Sequence, residues 1–570
     1  MIVIGINSGF DYQMNKISGG GCALLKDGII IQAIAEERLS RIKHDGGFRH
    51  SLKHILTYNH LTKNDVDYFC ISFYGNSFCP SKKLIDFHLN ELGLKKTPHK
   101  LVVIPSHHLS HAYLSYFLSP YSESLIFVSD NEGSILFKEN KSSKDNFYER
   151  NTYYWATENC INFIERDFEV PGSVGFGKAY NKFTRFIGFG DYHNAGKTMG
   201  LSAYGTIPNS MRDLNLWEID SAGRLQSYMD NSGNNKKDII CFFKKFEISL
   251  KDSILFNYNS KEARDLAAYI QGQLEKWTLL KTKHLLEKTK MSNVCYGGGV
   301  ALNSVVNSIV NEKLDTNVFV PPFPSDEGQA LGNAIYCYIN KNDFNNNTSI
   351  KKICFKNFLY LGKQYGETDF QKAFKKYKNY ISVSAPQNIY QSIALLLNEQ
   401  NIIGVFNQKS EYGARALGNR SIIASPIYES LRDKINILKK RELFRPLAPS
   451  VLEEHAANYF LIKDATLFKG MLGVAKVLPS MEDKIKGVVH ADKTARVQIV
   501  SMESNKKFYE IISNYYKISG IPMVINTSFN LAEEPIVETP SDAINTFLKM
   551  KLDALVIDNY LIFPNGKQKT

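Results

Sequence analysis

Short β-branched runs alternate with helical segments along most of this chain. Leu101-Val102-Val103-Ile104 leads into a helix that Ser106 can cap, and Ser124-Leu125-Ile126-Phe127-Val128-Ser129 is a further buried run. Residues 262–290 have helical periodicity and feed Asn293-Val294-Cys295-Tyr296, three glycines and another helix. Alternation of this kind builds sheets covered by helices, so the fold class is α/β. It pauses at a polar stretch, residues 342–349, and restarts with Ile402-Ile403-Gly404-Val405-Phe406 and Pro522-Met523-Val524-Ile525 as core strands. The 570 residues exceed what one hydrophobic core holds, roughly 250–300. The expected division is a domain over 1–345, a linker over 346–365 and a domain over 366–570.

The start of the chain narrows the class. Ile2-Val3-Ile4-Gly5-Ile6, then Gly20-Gly21-Cys22-Ala23-Leu24-Leu25, then Ile29 to Ala35 read as three strands, with Lys26-Asp27-Gly28 as a hairpin turn. Three strands with a glycine-rich first turn suit an actin/sugar-kinase/Hsp70-like nucleotide-binding domain. Met1 to Gly5 shows no basic stretch and no small-residue cleavage site, and no run approaches the roughly 18 apolar residues that span a bilayer. The eight cysteines form no CxxC pair. A reduced, cytoplasmic chain without a membrane partner is therefore expected. The formal net charge of +12 permits anionic partners; Lys-rich composition accounts for it equally well.

Three segments carry chemistry. In His107-His108-Leu109-Ser110-His111 the outer imidazoles are i,i+4, opposite an apolar stripe of Leu109, Ala112, Tyr113, Tyr116 and Phe117. That spacing suits one metal ion; a solvated, His-rich face is the competing reading. Asp130, just past a strand, and Asp326, in Pro324-Ser325-Asp326-Glu327-Gly328, could complete a His–His–carboxylate set, or could simply be turn or cap residues. Gly297-Gly298-Gly299 between strand and helix could let backbone N–H groups approach a phosphate, or be only a tight turn. In the second half, Arg415, Arg420, Lys440, Arg445 and Arg496 are threaded among glycines, apolar residues and the polar segment Asn526-Thr527-Ser528. Guanidinium forks bind phosphates bidentately, so a partly buried anion pocket is expected. Gly190-Asp191-Tyr192-His193-Asn194-Ala195-Gly196-Lys197-Thr198 imitates a P-loop but has five residues between its glycines and no good strand before it, so it is rejected.

These segments, in this order, resemble the O-carbamoyltransferase family of the nodulation (NodU) and cephamycin (CmcH) type, which includes tobramycin carbamoyltransferase. The resemblance runs from residue 1 to about 563. It also rests on Glu36-Glu37-Arg38 with Arg41-Ile42-Lys43-His44, the run Gly196 to Gly205, Gly298 to Asn303, Arg415-Ala416-Leu417-Gly418, Phe444-Arg445-Pro446-Leu447-Ala448-Pro449 and Asn526 to Asn530. It implies an N-terminal domain similar to tRNA-threonylcarbamoyladenosine synthase on an actin-like ATPase fold, and a YrdC-like C-terminal domain. The YrdC-like site would make carbamoyl-adenylate from carbamoyl phosphate and ATP. The metal site would pass the carbamoyl group to an acceptor hydroxyl, as in natural product biosynthesis.

Carried over residue by residue, His107, His111, Asp130 and Asp326 would hold a divalent metal, iron in the family, with Mg²⁺ as a further candidate ion. Gly298, Gly299 and Asn303 would line the nucleotide site. Arg415, Arg420, Lys440, Arg445, Arg496, Asn526 and Ser528 would bind carbamoyl phosphate and ATP. The chain departs from the family at its first turn, Gly5-Ile6-Asn7-Ser8-Gly9, followed by an insertion to about Ser18; Asn7 stands at the usual His position. Asn7, Lys43 and His44 are the candidates for handling the acceptor. The expected acceptor is a hydroxylated small molecule or sugar, with a hydroxymethyl pyrimidine in nucleic acid as the alternative and a homodimer as the candidate assembly. A nucleotide-dependent scaffold is the non-enzymatic alternative; it would need neither the His pair nor the arginines.

Overall fold

The computed structural model describes residues 1–11, 13–74, 80–136, 147–158, 160–169, 174–250, 257–342 and 358–566. Most of the polar stretch and of the expected linker, residues 343–357, lies outside them. The chain divides into two compact units, and not by a single cut. The first holds Met1–Ile31, Gly46–Phe48 and Ile55–Cys354; the second holds Gln32–Asp45, Arg49–His54 and Phe355–Thr570. Residues 32–45 and 49–54, placed by sequence within a continuous domain over 1–345, thus belong to the second unit.

Both units are mixed α/β. The chain begins with β1 (Ile2–Asp11), β2 (Gly21–Lys26), β3 (Ile29–Ala35), β4 (Tyr68–Tyr74) and β5 (Leu101–Val103), in sheet order β3-β2-β1-β4-β5. β1 runs antiparallel to β2 and parallel to β4, and β4 runs parallel to β5. Asp27 and Gly28 both have positive φ, as the primed hairpin turn requires. A core of Val3, Leu25, Cys70, Ile104, Ala334 and Cys337 joins this sheet to the helix Asp326–Lys341. Gly5 permits the approach: a Cβ there would lie 1.9 Å from the Ala330 carbonyl oxygen.

A second sheet contains β6 (Glu123–Ser129), β7 (Ile135–Leu136), β8 (Phe147–Thr157) and β9 (Cys160–Glu169), with strands Asn293–Gly297 and Asn317–Phe319. β6 pairs in parallel with Asn293–Gly297, so the carboxyl ends of both strands open on one side of the sheet. The helix His107–Leu118 lies between the sheets and is buried on nearly every face. This corrects the two-sided reading of that helix: the imidazole side is covered as fully as the apolar stripe. The Asp326–Lys341 helix crosses it so closely that a Cβ on Gly332 would lie 2.3 Å from the Ser110 carbonyl oxygen.

The second unit is built on eight strands, in the order Ile381–Ser384, Tyr560–Pro564, Ala554–Ile557, Ile403–Phe406, Arg420–Ala424, Met523–Ser528, Ala448–Leu452 and Gln498–Val500. Its N-terminal segment is tied in by arginines. Arg38 donates to the carbonyls of Glu411 and Gly413 at 3.3 and 3.4 Å, and Arg41 to those of Ile536 and Pro535 at 2.7 and 2.9 Å. These carbonyls lie about 370–500 residues away along the chain. Among the described residues no helix is long and apolar enough to cross a membrane, and the six described cysteines are free thiols.

Candidate metal centre and anion cluster

In the first unit four side chains converge. His107 Nε2 lies 3.2 Å from Asp326 Oδ1 and 3.6 Å from Asp130 Oδ2; His111 Nε2 lies 3.2 Å from Asp130 Oδ2 and 3.6 Å from Asp326 Oδ1. Their donor atoms all lie within 4.8 Å of one another, and the group could hold a metal ion. Each comes from the place its sequence context suggests: two turns of one helix, the end of β6, and the first turn of the crossing helix.

Burial alone would drive both imidazoles toward the neutral form. The facing carboxylates of Asp326 and Asp130 override it, raising His107 to about 10 and raising His111 as well. Burial would likewise raise both carboxyls, yet the imidazoles hold Asp130 and Asp326 below the ordinary range. Asp130 Oδ2 is buried without a satisfied hydrogen bond. Two imidazole nitrogens and two carboxylates around such an atom fit a divalent cation.

A second network aims the helix. The Glu149 carboxylate accepts from Ser106 Oγ at 2.9 and 3.0 Å, from Ser134 N at 2.9 Å and from Arg166 Nε at 2.6 Å. Ser106 Oγ in turn caps the helix through Leu109 N, and Ser134 Oγ receives the His107 N–H at 2.9 Å. Sequence reasoning missed Glu149, because nothing local marks an acid on β8 as the support of a helix end. Glu149→Ala removes a buried acceptor and strands Arg166, so it should cost about 3–5 kcal/mol. Urea unfolding would show this as a large drop in midpoint; a change below about 1 kcal/mol, the worth of an exposed pair, would contradict the role.

Asn7, an expected catalytic residue, is a brace. Its amide nitrogen donates to the carbonyls of Gly19 at 2.7 Å and Asp326 at 2.9 Å, pinning the first turn beside the cluster. Gly298 has φ 86°, and a Cβ there would meet the Ser129 carbonyl at 2.2 Å. A Cβ on Gly299 would come within 3.0 Å of Asp130 Oδ1. The two glycines therefore let this loop close over the end of β6. Asn303 is committed to capping the helix Ser304–Lys313 and to the Gln271 amide. The rejected P-loop mimic follows a helix, Phe176–Ile187, and no strand.

Lys43 and His44 lie in the second unit. Lys43 Nζ donates to the Ala532 carbonyl, and the His44 N–H donates to Glu37 Oε2 at 2.7 Å.

The same unit gathers the arginines. Burial and then neighbouring Arg415, Arg441 and Arg445 hold the Arg496 guanidinium well below its ordinary range. Burial and Arg445 bring Arg441 down to about 9, against the opposing pull of Glu442, and burial lowers Arg445. Like charges crowded out of water favour a counter-anion. Arg415, Arg445 and Arg496 are thus brought together as the sequence suggests, with Arg441 added. Glu411 shapes the Arg415 loop: its Oε1 accepts the N–H groups of Leu417, Asn419 and Arg420 at 2.8, 2.7 and 3.1 Å.

Two expected anion ligands are held by other partners, and a third is exposed. Arg420 is fully buried, stacks on Phe406 at 3.6 Å and donates to the carbonyls of Asn407, Gln408 and Asn419. Asn526 donates to Ala416 O, Ser450 Oγ and Gln498 Oε1, bracing the Arg415 loop against the sheet. Lys440 is exposed in a left-handed conformation past the end of the helix Glu429–Leu438. Its neighbour Lys439 is the buried amine, donating to the carbonyls of Ser528 and Asn530. Burial, then Arg441, Arg445 and Lys43, hold Lys439 well below its ordinary range. Ser528 thus faces the basic cluster through its carbonyl.

Family models for the carbamoyltransferase N-terminus and C-terminus match residues 73–335 and 394–563. The chain is 30% identical to nodulation protein NolNO of Sinorhizobium fredii, over 99% of this chain and 82% of that one. It is 32% identical to the uncharacterized protein MJ1051 of Methanocaldococcus jannaschii, over 95% of this chain and 97% of that one. Among solved structures, HypF of T. kodakarensis matches at 9% identity and a TM-score of 0.36, covering 60% of this chain and 48% of that one. With matched models at both ends and relatives aligned almost throughout, the chain belongs to the carbamoyltransferase family and is an enzyme of that family.

Proposed function

We propose that this protein is an ATP-dependent O-carbamoyltransferase that works in two half-reactions. In the second unit water cleaves carbamoyl phosphate to carbamate and phosphate, and a carbamate oxygen then attacks the α-phosphorus of ATP, expelling pyrophosphate and forming carbamoyl-adenylate. Arg415, Arg441, Arg445 and Arg496 bind the phosphates, as their crowding without enough carboxylates suggests. In the first unit the carbamoyl group passes to an acceptor hydroxyl and AMP leaves. A carbamoyl group is a poor electrophile until its leaving group is good, which is why activation precedes transfer.

The observation that carries this reading is the buried His107–His111–Asp130–Asp326 cluster in a carbamoyltransferase chain. His107 and His111 offer imidazole nitrogens, and Asp130 and Asp326 offer carboxylate oxygens, to a divalent ion. When bound, that ion supplies Lewis acidity toward the carbamoyl oxygen or the leaving phosphate. Iron is the choice by family resemblance. Gly298 and Gly299 keep the approach to Asp130 open. Asn7 holds Gly19 and the Asp326 backbone in place, and its carboxamide has no basic lone pair, so the acceptor proton goes to another group.

Family resemblance supports a diffusible hydroxylated metabolite or sugar as the acceptor, against a hydroxymethyl pyrimidine in nucleic acid. Incubation with ATP, carbamoyl phosphate and a panel of hydroxylated acceptors, read by mass spectrometry, should show the gain of one carbamoyl group on a small molecule. Carbamoylated bases in a nucleic-acid digest, with strongly salt-dependent binding of the oligonucleotide, would overturn that choice.

A further inference from the structure

One group at the metal cluster is unexplained by the four ligands. Gln329 lies one turn past Asp326 on the same helix and is fully buried. Its Nε2 is 2.6 Å from His107 Nε2, 2.9 Å from His111 Nε2 and 3.5 Å from Asp326 Oδ1. Its Oε1 accepts from Ser72 Oγ at 2.7 Å, and Ser72 Oγ accepts from Asn333 Nδ2 at 2.8 Å. The carboxamide is therefore held from behind and aimed at the point where both imidazole lone pairs converge.

The two ends of a carboxamide are alike in shape, and the partners decide which end faces a site. Here the N–H end faces the two imidazole Nε2 atoms, whose lone pairs a bound cation would take. A cation taking those lone pairs would meet the positive end of the N–H dipoles at hydrogen-bond range, which is repulsive. Reversing the amide about its terminal torsion, a broad and nearly two-fold rotation, puts Oε1 there instead. Ser72 can hold either end, because a hydroxyl both donates and accepts. The reversed amide adds a neutral oxygen, so two carboxylates still balance a divalent charge.

We propose that Gln329, through Oε1, is a fifth protein donor to a divalent ion at His107, His111, Asp130 and Asp326. This rests on the reading of that cluster as a metal centre. Two nitrogens and three oxygens favour Fe(II), Mn(II) or Co(II) over the four-coordinate arrangement typical of zinc. The chemistry is specific to this residue: a leucine or alanine at 329 could offer no donor.

Cobalt(II) added to the full-length, metal-stripped protein tests it, with equilibrium dialysis for affinity and the visible d–d absorption for coordination number. The unmutated protein should take up one Co(II) per chain with the weak bands of a five-coordinate ion. Gln329→Met, nearly isosteric, should weaken binding by about 10–100-fold and intensify the bands as coordination falls to four. Gln329→Glu should keep the weak bands and bind at least as tightly as the parent. Intense four-coordinate bands from the unmutated protein would overturn the proposal without any variant. So would a Gln329→Met protein, folded by near-ultraviolet circular dichroism, with unchanged affinity and spectrum; the four-ligand centre would then still stand. Failure of the unmutated protein to bind Co(II), Mn(II) or Fe(II) would refute the metal centre itself, and Gln329's role with it.

Discussion

The double substitution His107→Ala with His111→Ala is expected to abolish carbamoyl transfer while leaving adenylate formation in place. Both imidazoles lie in the first unit, in a buried cluster with Asp130 and Asp326, and the arginines lie in the second. Losing them removes both nitrogen donors to the ion. The lost charge stabilisation is worth several kcal/mol, or a fall in transfer of about 10³-fold or more. Pyrophosphate release dependent on carbamoyl phosphate should continue near the parental rate. Elemental analysis of anaerobically purified protein should show the metal gone as well. Transfer at the parental rate would remove the cluster from the mechanism.

The converse is expected of the basic cluster. Arg496→Ala or Arg445→Ala should lower carbamoyl-phosphate-dependent pyrophosphate release by about 10²–10³-fold, the range for losing one preorganised donor to a developing charge. Arg→Lys should restore little, because a point charge does not reproduce the guanidinium fork. Metal content should be unchanged. Lys440→Ala serves as the internal control: its side chain is exposed, and it should behave like the parent, whereas Lys439→Ala should not. Equal losses at 439 and 440 would contradict the orientation described.

Much of the fold and of the candidate His–Asp cluster can be read from the amino-acid sequence, because the relevant signals are local. The Asp27-Gly28 turn, the buried strand before Asp130 and the i,i+4 imidazoles each depend on neighbours within a few residues. The misread residues depend on distant partners. Lys439 and Lys440 are indistinguishable until the helix ending at Leu438 sets which one turns inward. Arg420 looks like an anion ligand until Phe406 and three carbonyls are found to hold it. Gln329 acquires meaning only where Gly332 lets its helix cross the histidine helix. Arg38 and Arg41 carry the resemblance in sequence, but their hydrogen bonds to carbonyls far along the chain do not show there. Asn7 is readable as a departure, but not as a brace, because its partner is the backbone of Asp326.

The division of labour between the two units is tested most directly by trapping the intermediate. The His107→Ala, His111→Ala protein, incubated with ATP and carbamoyl phosphate without acceptor, is quenched and its nucleotides are identified by mass spectrometry. The account predicts carbamoyl-adenylate with matching pyrophosphate, and no carbamoylated product when acceptor is then added. Absence of both adenylate and pyrophosphate from a folded double variant, under conditions where the parent protein forms them, would contradict it.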